Sequence, residues 1–169
     1  VQGLPVLRGE VAAAHPLQHH AGQPAERERD QDDEPELFDD DDILPIAVLG
    51  SHLKKTDDEI AKALAIRHIS TSFVKSRLGR MSVVCGCSVA AGAGSAAGMT
   101  YLMGGSEEQM ADAMQLLLSN LAGMLCDGAK ESCALKVSSA SSEAYFAARW
   151  AVAGQKLGLH QGVVGASIE

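Results

Sequence analysis

The chain has four cysteines, in two places: Cys85-Gly-Cys87 and, about 40 residues on, Cys126-Asp-Gly-Ala-Lys-Glu-Ser-Cys133. Thiolates are soft ligands that select zinc, copper(I) or iron–sulfur clusters. Both places are crowded with Gly, Ala and Ser, which let a backbone and a bulky inorganic group come close. A metal or cluster site is therefore the first chemistry to consider. The spacings, C-x-C and C-x6-C, are not those of a zinc ribbon, which needs two C-x2-C-type pairs or a Cys pair with a His pair. No His pair follows at ligand spacing, and His160 stands alone far downstream. The first residues, Val1-Gln-Gly-Leu-Pro5, form neither the basic nor the apolar region of a secretory signal. Cysteine is also too sparse for a disulfide-stapled secreted domain. Cluster ligation leads; buried inert thiols come next, with zinc or a disulfide behind them.

The elements that must position these cysteines are set by composition. The 169 residues amount to one domain at most. Aromatic content is 4%, while Ala and Gly abound, so the core must come from helices that approach closely. The formal charge of −8 belongs to the first segment: residues 1–45 hold 3 Lys/Arg against 12 Asp/Glu, and the remainder 11 against 10. A near-neutral remainder leaves no electrostatic footprint for nucleic acid. Residues 1–42 show no helical or alternating period, and clustered like charge at low hydrophobicity predicts disorder. The run from Asp39 to Asp42 does not distribute ligands as an EF-hand loop does.

Order is expected from Ile43. Residues 44–52 read as a short helix with Pro45 in its first turn. Thr56-Asp-Asp-Glu59 is a capping box. The helix after it is expected to place Ile60, Leu64, Ile69 and Phe73 on one face, with Lys75, Arg77 and Arg80 at its C-terminal end. Residues 82–103 carry no charge. A membrane span is rejected there, because Gly, Ala and Ser dominate and large apolar residues are few. The expected form is two buried helices broken near Gly92–Gly94; a dinucleotide fingerprint at Gly92-x-Gly94 lacks the following strand. Ser106-Glu-Glu-Gln109 caps a helix with Met110, Met114, Leu117, Leu118 and Leu121 at helical spacing, ending near Gly123. Cys126 then lies just past a helix C-terminus, Gly128 permits a sharp turn, and Cys133 sits one or two turns into the next helix. Residues 138–142 mark a further break. A final amphipathic helix over 143–153 centres on Tyr145, Phe146 and Trp150. No strand pattern appears. The fold class is mostly all-α: a bundle of short Gly/Ala-rich helices behind a disordered acidic N-terminal segment.

Residues 123–139, Gly-Met-Leu-Cys-Asp-Gly-Ala-Lys-Glu-Ser-Cys-Ala-Leu-Lys-Val-Ser-Ser, resemble the C-terminal part of the iron–sulfur serine dehydratase alpha-chain family, nearest the branch with the L-cysteine desulfidases. Residues 80–105, which carry Cys85-Gly-Cys87, look like the same branch, as does Gly162-Val-Val-Gly165. The resemblance covers residues 43–169, taken as a partial helical domain of that family. It implies a [4Fe–4S] cluster held by three cysteines with one iron open to substrate. It also implies conversion of L-cysteine to pyruvate, ammonia and hydrogen sulfide, or of L-serine to pyruvate and ammonia. Carried over, Cys126 and Cys133 match two ligands. The third is Cys85, with Cys87 as the alternative.

An open iron is a Lewis acid for the leaving hydroxyl or thiol, and a base must take the α-proton. Lys130 and Lys136, flanking Cys133, are the nearest candidates to hold the substrate carboxylate or act as base, beside the reading that they are solvated helix lysines; the sequence does not name the base. His68 is a further candidate, though a lone helical His is usually structural or exposed. The resemblance implies a small amino-acid substrate, a cytoplasmic setting and room for a homo-oligomer, while charge and composition predict no nucleic-acid or membrane partner. Family members are far longer. Where they have a substrate loop, this chain has Glu36-Leu-Phe-Asp-Asp-Asp-Asp42. A fragment that keeps the ligands and lacks the substrate cradle is expected. The alternative is an inactive helical module that binds a cluster or a partner.

Overall fold

Helix starts are fixed by side chains that satisfy the first free backbone N–H groups. In the computed structural model, Thr56 Oγ1 accepts from the Glu59 N–H at 3.3 Å while the Glu59 carboxylate accepts from the Thr56 N–H at 2.9 Å. This box opens α2, Asp57–Leu78, which follows α1, Ile43–His52. The same reciprocal pair at Ser106 and Gln109 opens α4, Glu107–Leu121. Gln109 Nε2 also donates to the carbonyls of Ala151 and Val152, at 3.0 and 3.1 Å. One side chain thus caps the start of α4 and the end of α5, Ser132–Val152. Between α2 and α4 runs a π-helical turn, Gly86–Ala90, continuous with α3, Ala91–Leu102. The structure describes residues 43–79, 82–126, 128, 132–158, 161 and 165. The expectation for residues 1–42 lies outside them, as do Arg80, Lys130, His160 and all of 162–165 but Gly165.

Among the described residues the chain is all-α, with one isolated antiparallel bridge between Val84 and Leu125. α3 is the centre: every residue except Tyr101 is buried, and it packs against α2, α4 and α5. Its small side chains allow this. A Cβ on Gly94 would overlap Thr71 Oγ1 and the Arg67 carbonyl of α2, and one on Gly98 would lie 2.8 Å from the Ala63 carbonyl. The two helices touch nearly backbone to backbone. Thr100, buried in the same helix, satisfies its hydroxyl by donating to the Ala96 carbonyl at 2.7 Å.

Four expectations need correction. α3 is unbroken at Gly92–Gly94, because those glycines make room for neighbours rather than a turn; the irregularity is the π turn before it. α5 runs straight through residues 138–142. There Ser139 and Ser142 donate to the carbonyls four residues back, at Leu135 and Ser138, each at 3.0 Å, so the hydroxyls stay within the helix. Ile69 is exposed, and the buried face of α2 is Ala63, Arg67 and Val74. The step from Leu64 to Ile69 is five residues, which rotates Ile69 by roughly 140° at 3.6 residues per turn. Finally, the core face of α5 is Ala140, Ala144, Ala147, Ala148 and Ala151, while Phe146 and Trp150 are half exposed. Close approach to α3 selects alanine and turns the aromatics outward. In α4, Met114 and Leu117 are buried as their spacing predicts, with Met110, Leu118 and Leu121 packed beside them. No described helix is long and apolar enough to cross a membrane.

Candidate functional site

The two cysteine segments meet at the bridge. The Cys85 N–H donates to the Met124 carbonyl at 2.9 Å, and the Cys126 N–H donates to the Val83 carbonyl at 2.8 Å. These bonds flank the Val84–Leu125 pair, so Cys85 and Cys126 occupy diagonal positions across it. In a regular ladder such diagonal neighbours share a face and stand about 7–8 Å apart. The Cys85 carbonyl accepts from the Val89 N–H at 2.9 Å, which locks Cys85 onto the start of the π turn. π turns of this kind are concentrated at functional sites.

Burial separates the thiols. Cys85 is buried, Cys87 and Cys133 are half-buried, and Cys126 is exposed. Cys85 Sγ stands 3.5 Å from the buried Ser88 Oγ, the thiol donating. A thiolate there would accept from the Ser88 hydroxyl instead. Cys133 lies on α5, whose described residues begin at Ser132. No disulfide joins any of the four cysteines. Gly128 has φ +82°, the conformation expected of a sharp turn between Cys126 and Cys133.

Lys136 is half-buried, and its Nζ donates to the Leu125 carbonyl at 2.8 Å. The peptide group joining Leu125 to Cys126 is thereby held at both ends, by Lys136 at its carbonyl and by Val83 at its N–H. His68 is exposed on α2. Of the predicted site residues, the structure ties Cys85, Cys126 and Lys136 into one hydrogen-bonded assembly with α5. Reasoning from sequence missed Ser88 and the bridge. Ser88 follows Cys85 by three residues, a spacing that could have suggested the contact; a single bridge leaves no periodic signal.

Among the described residues, which include all four cysteines, no three His, Cys, Asp or Glu side chains gather as the ligands of one metal ion. A four-iron cluster is a different test. Its own iron and sulfide atoms stand between the ligands, so the thiolates lie farther apart than around a single ion. The donor set of thiolates with few other ligands suits such a cluster.

The sequence model of the serine dehydratase alpha chain matches residues 41–168. A "UPF0597 protein" of Desulfatibacillum aliphaticivorans is 49% identical over 127 residues, 75% of this chain and 29% of the relative. Proteins of the same name are 46% identical in Kosmotoga olearia and 45% identical in Clostridioides difficile, each over 75% of this chain and 30% of the relative. The chain therefore spans less than a third of the length of these curated relatives. No solved structure matches it.

Proposed function

The chain belongs to the serine dehydratase alpha chain family, and on that premise we propose that it is the cluster-bearing part of an iron–sulfur ammonia-lyase acting on L-cysteine or L-serine. The observation that carries this reading is the bridge that joins the Cys85 and Cys126 backbones beside the helix bearing Cys133. Cys85, Cys126 and Cys133 would hold a [4Fe–4S] cluster, with Cys87 outside the ligand set. When bound, such a cluster supplies an open iron that accepts the leaving hydroxyl or thiol. The overall reaction removes a proton from Cα and the hydroxyl or thiol from Cβ, releasing water or hydrogen sulfide and forming a Cα–Cβ double bond; the resulting enamine tautomerises to an imine, which water hydrolyses to pyruvate and ammonia.

The chain's own residues orient the ligands. The bond between Cys85 Sγ and Ser88 Oγ fixes that thiol's rotamer and offers a thiolate a donor. Lys136 is a positioning residue, since its ammonium is engaged with the Leu125 carbonyl and sets the Cys126 peptide. Lys130 remains the lysine candidate for the base. A cytoplasmic setting suits thiols that must stay reduced.

Anaerobic reconstitution with iron and sulfide counting tests this. The wild-type chain is expected to take up about four irons. Cys126→Ser and Cys133→Ser each lose them, because a hydroxyl is a harder, poorer ligand. Cys87→Ser keeps them. Equal iron in the wild type and in both the Cys126 and Cys133 variants refutes the assignment.

A second reading, a cluster-binding module without catalysis, is favoured by one fact: the chain covers less than a third of its relatives. Positioning a substrate can account for roughly 7–11 kcal/mol of a barrier, and residues outside the match would supply part of it. Pyruvate release separates the two readings. The module shows a substrate-perturbed cluster spectrum without turnover; the complete lyase turns over at about 1–10³ per second.

A further inference from the structure

An apolar groove of about 500 Å³ lies between α1 and α5, floored by Met99 of α3. Pro45, Val48 and Leu49 form one wall, and Tyr145 and Phe146 the other. The apolar surface continues past both walls. Leu44, 65% exposed, precedes Val48, 58% exposed, by one helical turn of α1. Trp150, 51% exposed, follows Phe146, 50% exposed, by one turn of α5, with ring centroids 6.5 Å apart. His52, Ser141 and Ser142 supply polar groups along the groove. Soluble proteins seldom leave a contiguous apolar surface of this kind open to water. Helical walls on either side of an apolar floor are the usual receptor for the apolar ridge of another helix.

We propose that this groove is the seat of a helix from the part of the family polypeptide that lies outside the matched residues, whether joined to this chain or supplied separately. The length of the relatives argues for that occupant. More than two thirds of the Desulfatibacillum aliphaticivorans chain has no counterpart here, yet 49% of the matched residues are identical. A segment this similar to its relative keeps a surface shaped to meet the remainder. Concavity argues against a second copy. A two-fold interface sets a patch against itself, and two grooves face to face would leave the Met99 floor empty rather than filled.

The test co-expresses the full 169-residue chain with the Desulfatibacillum aliphaticivorans relative from which the matched 127 residues are deleted. The readouts are soluble yield of the deleted relative, mass by light scattering, and amide exchange along α1 and α5. The expected result is a soluble one-to-one complex that slows exchange in both helices. Val48→Asp with Phe146→Asp weakens it by at least about tenfold, as a charge buried without a partner at an interface centre should. Ile69→Asp, at an exposed site on α2 away from the groove, leaves affinity unchanged. Circular dichroism of both variants should match the wild type, because all three substituted side chains are exposed. Absence of a complex overturns the proposal, and so does a complex indifferent to the groove substitutions. A homodimer of the chain that the same substitutions dissociate gives the surface to a second copy and overturns it too.

Discussion

The seam between α2 and α3 and the edge that carries the cysteines are held together in opposite ways. At the seam, Gly94 and Gly98 leave no space for a Cβ, and all but one residue of α3 is buried. At the edge, two backbone hydrogen bonds and one lysine hold the two segments, and Val83 and Leu125 are 78% and 62% exposed. The seam is complete within the described residues. The edge is aligned by few bonds and open to whatever binds there. A scaffold can thus be rigid where it needs no ligand and sparse where a ligand or a neighbouring segment would add contacts.

The largest effect should come from the seam. Gly94→Ala puts a methyl group into the Arg67 carbonyl, which cannot rotate away. The expected loss is about 2 kcal/mol, since overpacking outweighs the gain of about 1 kcal/mol in helix propensity. Urea denaturation measures it; an unchanged midpoint would mean that the helices separate easily and that the contrast is wrong. Gln109→Ala should follow at about 1–2 kcal/mol, because it removes the side-chain acceptor for the Ser106 N–H in the α4 capping box and both bonds to the end of α5. Ser106→Ala, which removes only the α4 half, should cost less in the same assay.

At the edge, Lys136→Met should change global stability by less than about 1 kcal/mol. Its signature is local: faster hydrogen exchange at the Cys126 amide, which donates to Val83. Exchange as slow as in the wild type would show that the bridge holds without the lysine. The smallest effect lies at a site belonging to neither region. The Glu59 carboxyl is held down to about 2 from 4.5, first by the Thr56 N–H, then by Lys55 and the Thr56 hydroxyl. A depressed carboxylate stabilises the fold fully above its unfolded value and loses that contribution as pH falls through 4.5 toward 2. Glu59→Gln should therefore lower the melting temperature slightly at neutral pH and leave it nearly unchanged near pH 2, which flattens the acid limb between them.

Both capping boxes were legible because they are local: a hydroxyl and a carboxylate or amide three residues apart state where a helix starts. The cysteine pairs were legible as donors by type. Faces were harder to read. Spacing put Ile69 on one face with Ile60, Leu64 and Phe73, and the last amphipathic helix was centred on Tyr145, Phe146 and Trp150, yet contact with α3 rewards the smallest side chains and leaves Ile69, Phe146 and Trp150 exposed. Serines at 138–142 looked like a break because their hydroxyls can compete with the helix, but here they bond to its own carbonyls. The Val84–Leu125 bridge depends on two segments distant in sequence, and no local pattern announces it.

That bridge also implies an order of assembly. Val84 and Leu125 lie about forty residues apart, with the π turn, α3 and α4 between them, and closing so long a loop has an entropic cost that grows with its length. Neighbouring helices form and pair on shorter loops and so earlier. The α3–α4 pair should dock first and bring the two ends together, after which the two backbone bonds close. Cys85 and Cys126 would then be the last of the chemistry-bearing groups to reach each other. In a refolding experiment, protection of their two amides should trail that of α3 and α4, so that the thiols meet on a core that has already formed.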